Sequence, residues 1–289
     1  MHRLSTKHLI NLIKEDGQKI EVDLNLNSLI DLASKNKVLL QLLVKFDIKD
    51  PLRRSQEEAV ENIVRLVENL SKDLDSFSFA FFKLVKPVSY VPADVDVLVK
   101  CEEREEVIKR IEELGFKVEV KEPFCTTLVK GSSIVDVYVH PTLGGMIYMG
   151  GQELLNHVCI KDFNGIKIKS LESYAEALVS AAHAVYKERI YTLNDYFTVK
   201  AWTTEETFKL AKELECLPAL EFAIKLNDAI KNGLVEAPYR IPVHTWTKLL
   251  AQKVLRDPLA RSTSKNLVKT LGTKRGIKLL KSKLTRESY

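Results

Sequence analysis

The spacing of apolar residues changes twice along the chain. Up to about residue 75 it is helical. His8-Leu9-Ile10 with Leu12-Ile13 forms a stripe that ends at a break, Asp16-Gly17. A short helix begins over residues 27–32, and residues 37–46 place Leu39, Leu40, Leu42, Leu43 and Phe46 in a strongly apolar one. A proline-containing break spans 47–53. Ser55 and Glu58 then have the spacing of a capping box, and the helix they open runs to about residue 70 with Val60, Ile63, Val64, Val67 and Leu70 on one stripe. No basic residues concentrate here, which favours a packing cap over a DNA-binding module.

From 76 to 143 the pattern becomes that of strands. Residues 76–85 are dense in aromatic and β-branched side chains, and 91–99 form a second strand. An amphipathic helix over 102–114, with Val107, Ile108, Ile111 and Leu114 inward, stops at Gly115. Strands follow at 116–120, 125–129 and 133–140. This order predicts a mixed sheet with a helical crossover, an α+β fold. Residues 143–151 carry glycines at both ends of a predicted hairpin and match no phosphate-loop fingerprint. Helical spacing returns over 172–185, 205–214 and 218–232, and Gly233 stops it. Pro238 and Pro242 mark a linker before three more helices at 243–255, 259–271 and 274–284. Two basic turns between helices, 261–265 and 273–276, combine hydroxyls with cations, which suits phosphate contacts. The predicted organisation is an N-terminal helical segment (1–75), an α/β core (76–170), a helical region packed on it (171–236) and a basic C-terminal helical region (237–289).

Composition narrows the classes. With 289 residues, 45% hydrophobic and 29% charged, this is a globular chain. No apolar run reaches the roughly 18–20 residues of a membrane span, and the first 14 residues do not resemble a signal peptide. The cysteines Cys101, Cys125, Cys159 and Cys216 form no Cys-x-x-Cys pair, so reduced thiols in a cytoplasmic protein are expected. The six histidines lack zinc spacing. His140, at the end of its strand, is either a ligand or a plain strand-end residue. The net charge of +5 conceals an asymmetry: residues 248–289 hold 12 Lys/Arg against 2 Asp/Glu, which leaves the rest of the chain at −5. A basic tail on an acidic body suits a polyanion such as RNA or DNA, or is a solvated helical tail.

The chemistry concentrates in Pro92-Ala93-Asp94-Val95-Asp96-Val97-Leu98-Val99. Alternation in a strand puts Asp94 and Asp96 on one face and the valines on the other. Adjacent carboxylates repel and resist burial, so either a divalent cation or a solvated strand end must relieve them. Ile134-Val135-Asp136-Val137-Tyr138-Val139 sets a third carboxylate in an apolar strand, where it needs a partner. A cation shared with Asp94 and Asp96 would supply one.

A strand with Asp-x-Asp, then a helix, then a strand with a third Asp resembles the nucleotidyltransferase superfamily of the polymerase-β type, including the minimal and AbiEii-like members. The resemblance spans about residues 76–200. It implies that Asp94, Asp96 and Asp136 are catalytic and metal-binding, with two Mg²⁺ ions, and that Asp136 helps to activate the attacking hydroxyl. The substrate implied is a nucleoside triphosphate such as ATP. The 181–196 segment looks like the helical part of those proteins. By that likeness Lys187, with Arg189 as second candidate, would contact the triphosphate, unless both are solvated helix-end residues; Asp195 would flank the nucleotide or serve as a cap. The Gly-Ser turn usual before the first Asp is replaced by Ala80-Phe81-Phe82-Lys83-Leu84-Val85-Lys86-Pro87, as in archaeal-type variants, so Lys83 and Lys86 are expected to meet phosphate as charges. Two functions follow as expectations. One is transfer of a nucleotide to a hydroxyl, with nucleic acid held by the basic tail as one acceptor. The other is an inactive version of the fold that binds nucleic acid or protein. The AbiEii likeness adds a third, a toxin of a toxin–antitoxin pair.

Overall fold

In the computed structural model, residues 5–14, 26–286 and 288 are described, and the expected break at Asp16-Gly17 lies outside them. Strand alternation builds the centre. In β1 (Phe79–Phe82) and β2 (Val95–Val99), every residue is buried, but the two faces belong to two cores. Phe79, Phe81, Val95, Val97 and Val99 pack into one, together with Val135 and Val137 of β5 (Ser133–Tyr138). Ala80, Phe82, Leu98 and Tyr138 pack into the other. Asp96 and Asp136 alternate with those valines, so they share the second face.

The first core is closed by two helices. From α4 (Pro51–Asp73) come Val67 and Leu70, and from α5 (Arg104–Glu113) come Val107, Ile108 and Ile111. The cap of α4 differs from expectation. Asp50 accepts a hydrogen bond from the Arg53 N–H at 2.9 Å, and Pro51 fills the first helical position, where its missing N–H costs nothing. Ser55 therefore lies inside the helix.

β3 (Lys117–Lys121) and β4 (Cys125–Lys130) extend the sheet beyond β5. Beyond β1 it continues through β9 (Ile166–Leu171) to β8 (Val158–Phe163), giving the order β3-β4-β5-β2-β1-β9-β8. β2 runs parallel to β5 and β1 parallel to β9, while the other pairs are antiparallel, so the sheet is mixed and the α+β class expected from the sequence holds. The β8–β9 hairpin was not expected. Its turn is Asn164-Gly165, both at positive φ (48° and 91°), the turn chemistry that favours a two-residue hairpin. The glycine-flanked stretch forms a small ribbon, β6 (Thr142–Leu143) with β7 (Met146–Ile147), turning at Gly144-Gly145. The short α6 (Gly151–Leu154) follows it.

The second face is covered by α7 (Ser173–Ala182), α8 (Leu193–Trp202), α9 (Glu205–Glu213) and α10 (Leu217–Lys231). α1 (Thr6–Lys14), α2 (Leu26–Lys35) and α3 (Leu39–Lys45) join the same core. Buried Asn36 ties them to the rest: its amide donates to the Ala237 carbonyl at 2.9 Å and accepts from the Leu193 N–H at 3.0 Å. A two-stranded ribbon, β10 (Ile190–Tyr191) with β11 (Tyr239–Arg240), leads to α11 (Val243–Arg256), α12 (Pro258–Leu271) and α13 (Lys274–Thr285). Residues 261–265 form part of α12 and not a turn, because Asp257 caps the Leu259 N–H at 2.8 Å and Pro258 starts the helix ahead of them. Thr273 does sit between helices, accepting from the Gly276 N–H at 3.0 Å. Among the described residues no helix is long and apolar enough to cross a membrane.

Candidate active site

Parallel pairing of β2 with β5 sets Asp96 directly beside Asp136. Asp94 stands two residues upstream on the same side, just before β2 begins. One carboxylate oxygen from each of the three lies within 4.8 Å of the others. Asp96 is only 4% exposed, while Asp94 and Asp136 are half-buried. Oδ1 of Asp96 and Oδ1 of Asp136 are both buried with no hydrogen-bond partner. Such oxygens are costly unless something occupies their lone pairs. Three hard oxygen donors with two of them unsatisfied fit a small divalent cation such as Mg²⁺.

Burial pushes the Asp96 carboxyl up to about 7; Lys83 opposes this, while Asp94 and Asp136 add to it. The folded protein holds this proton more tightly than the unfolded chain does, so the contribution is complete below 3.8 and disappears as pH rises through about 7. Without metal, Tm should therefore fall between about pH 4 and pH 7, and Asp96→Asn or saturating Mg²⁺ should flatten that slope. Thermal unfolding across a pH series checks this; an unchanged slope in Asp96→Asn would refute it.

The segment in place of the expected glycine turn keeps a glycine-like backbone. Lys83, just past β1, has φ of 62°, the left-handed region that glycine enters freely. Its N–H donates to both oxygens of the buried Glu176 carboxylate, at 2.8 and 3.1 Å. Its ammonium lies 2.8 Å from Asp96 Oδ2, with the Phe82 and Tyr138 ring centres 5.2 and 5.5 Å away. Burial lowers the Lys83 pKa, but Asp96 and Asp94 outweigh it and leave it raised. Lys86 donates to Ser180 Oγ at 2.7 Å and lies 3.7 Å from Glu176. Both lysines thus sit in the cleft with carboxylate partners.

After α7 the chain forms a π-helical turn, His183–Glu188, a distortion often found at functional sites. It brings Lys187 Nζ to the Tyr138 hydroxyl at 3.0 Å, and that hydroxyl in turn donates to Asp136 Oδ2 at 3.3 Å. Arg189 is brought elsewhere. It takes a left-handed conformation (φ 59°), is buried, and donates from Nε to the Lys283 carbonyl at 3.1 Å. The solvated helix-end alternative for Arg189 is therefore excluded by burial. Asp195 closes a capping box on α8, accepting from the Thr192 N–H at 2.9 Å and from its hydroxyl at 2.7 Å. His140 accepts at Nδ1 from the Gly151 N–H at 2.8 Å, a strand-end structural contact.

Two cavities flank Lys187. One, about 250 Å³, is lined by Asp94, Asp96, Lys37, Lys83, Lys86 and Arg286 among others. The second, about 170 Å³, holds Asp136, Glu122, Thr127, Thr142, Thr270 and Lys283. A larger cavity of about 740 Å³ beside α3 and α4 shares only Lys86 with the expected site. Sequence inspection overlooked Lys37, Glu176, Glu188, Lys283 and Arg286. Glu188 pairs with Arg286 and lies 3.3 Å from Lys283 Nζ, which draws the C-terminal end of the chain to the rim of the aspartate cleft. Only the scarcity of acids near these cations hinted at it.

No protein-family model and no curated protein sequence matches the chain. Solved structures do. One is ANT(2″)-Ia in complex with adenylyl-2″-tobramycin, 13% identical with a TM-score of 0.33, covering 60% of this chain and 99% of that one. A solution structure of the antibiotic-resistance factor ANT(2″)-Ia is 12% identical, TM-score 0.32, over 60% and 91%. The lincosamide antibiotic adenylyltransferase LnuA, lincomycin-bound, is 16% identical, TM-score 0.33, over 50% and 94%. The chemistry of the present site rests on the geometry of its own side chains.

Proposed function

We propose that the protein is a Mg²⁺-dependent nucleotidyltransferase that moves a nucleoside monophosphate from a triphosphate such as ATP to a hydroxyl. The observation that carries this is the pair of orphaned oxygens, Asp96 Oδ1 and Asp136 Oδ1, on residues paired across parallel strands with Asp94 in reach. Mg²⁺ held by these carboxylates would supply charge to the phosphates and lower the barrier at phosphorus. The acceptor oxygen bonds to the α-phosphorus, the bond to the bridging oxygen breaks, and pyrophosphate leaves with that electron pair. Asp136 Oδ2, which accepts from the Tyr138 hydroxyl at 3.3 Å, takes the proton of the attacking hydroxyl, while Oδ1 is left for the ion. Lys187 lines both cavities, which supports a contact with the phosphates. Lys37 and Arg286 add positive charge to the larger of the two.

A nucleic-acid acceptor is supported by a specific surface feature. On α12 and α13, Lys265, Lys269, Lys274, Lys278 and Lys281 are all exposed, the charge distribution that gives salt-dependent binding to phosphate backbones. The same surface would serve an inactive binding module. Incubation with α-labelled triphosphates, Mg²⁺ and RNA or DNA distinguishes these. Label transfer with release of pyrophosphate is the expected result. Salt-sensitive RNA or DNA binding with no nucleotide binding would instead favour the module.

A further inference from the structure

We infer that the Lys83 ammonium is a built-in cation of the aspartate cluster, so that the site takes one divalent ion where a two-metal clamp would take two. This rests on the nucleotidyl-transfer function proposed above and sharpens its metal requirement. In a two-ion site the ions lie about 3.5–4 Å apart, and a carboxylate between them gives one oxygen to each. Asp96 is the central carboxylate, paired in register with Asp136 and two residues from Asp94. Its two oxygens are not equivalent. Oδ2 is 2.8 Å from Lys83 Nζ, whereas Oδ1 has no partner. Asp136 shows the same division: Oδ2 accepts from Tyr138, and Oδ1 has no partner. Asp96 Oδ1 and Asp136 Oδ1, with a carboxylate oxygen of Asp94 in reach, describe a place for a single ion.

Lys83 is fixed by more than this contact. Its N–H is held by the buried Glu176 carboxylate, and its carbonyl accepts from the Tyr90 hydroxyl at 2.5 Å. From that left-handed backbone the side chain carries its ammonium over the Phe82 and Tyr138 rings, which attract a cation at their faces. A non-glycine residue in that conformation is strained, a cost that a glycine would avoid. Charge agrees. With all three carboxylates ionised, the three and one ammonium leave two negative charges, which one divalent ion balances.

The test counts ions. Crystals are soaked with Mn²⁺ and a non-hydrolysable ATP analogue, and anomalous peaks at the aspartates are counted, including any ion carried by the triphosphate. In solution, electron paramagnetic resonance of free Mn²⁺ gives ions bound per chain under the same conditions. Wild type should show one ion. Lys83→Gly, which suits the left-handed backbone, should show two. Lys83→Met keeps the apolar stem and should also show two, so the result does not hang on one variant's folding. Two ions in wild type, or one in wild type and in both variants, overturns the inference while leaving nucleotidyl transfer intact. No ion at the aspartates in wild type sinks the proposed function itself.

Discussion

Asp96→Asn should reduce nucleotidyl transfer by about 10³-fold or more, a loss of about 4 kcal/mol of transition-state stabilisation. The substitution preserves shape and removes one charge. Asp96 is the most buried of the three aspartates and the one whose oxygens face both Lys83 and the open coordination place. An amide offers a weaker, neutral oxygen to a cation and a donor where none is wanted. Folding should survive, for two reasons. Ionised Asp96 is disfavoured by burial, so its removal relieves a cost. Lys83 also keeps the attraction of Asp94. Circular dichroism and Tm should therefore stay close to wild type while Mn²⁺ affinity and turnover collapse together. Turnover within tenfold of wild type would sink the assignment. Asp94→Asn should follow the same pattern with a smaller structural effect, since Asp94 is more exposed.

Why these aspartates were visible in the sequence, and other parts of the site were not, has a physical explanation. Period two is rigid. Once residues 95–99 and 133–138 are strands, the face of each carboxylate is decided, and an Asp amid valines conflicts with burial unless it has a partner. The left-handed turn at Lys83 had no such signal, because nothing in a lysine announces positive φ; the conformation is imposed by Glu176, a residue 93 positions away. Asn164-Gly165 is the opposite case, since its turn signal was in plain sight between alternating Ile and Lys residues. Ser55 had the right spacing for a cap but lost to Asp50-Pro51, where a better acceptor and a preset φ act together. Arg189 shows the limit of local likeness. It stands only two residues after Lys187, yet its own left-handed backbone at the end of the π-turn sends the two side chains to different partners.

The basic tail shows the same limit on a larger scale. Its cations look alike in sequence, yet they divide into a solvent-facing set on α12 and α13 and an internal set comprising Lys253, Lys283 and Arg286. Net charge alone therefore overstates the surface available to a polyanion. The internal set fastens the C-terminal helices to the body, with Lys283 and Arg286 at Glu188 beside the site and Lys253 deeper in the fold.

Lys253→Met should destabilise the protein by about 3–5 kcal/mol, the range for breaking one side of a buried ion pair. The Lys253 side chain is fully buried. Its ammonium lies 2.7 Å from Asp257 Oδ2, donates to the Leu214 carbonyl at 2.6 Å and to that of Glu215 at 3.1 Å, and touches Cys216 Sγ at 3.4 Å. Those carbonyls end α9, so one lysine both satisfies that terminus and joins it to the α11–α12 corner. Methionine fills the space but leaves the carbonyls without their donor and Asp257 without its cation. Urea unfolding should show a lower midpoint at unchanged m. Lys253→Met/Asp257→Leu should recover part of the loss, although Asp257 also caps α12, so recovery stays incomplete. Activity per folded molecule should remain near wild type, since Lys253 lines neither cavity at the aspartates. A change below about 1 kcal/mol would place the pair with exposed ion pairs, in contradiction to its burial.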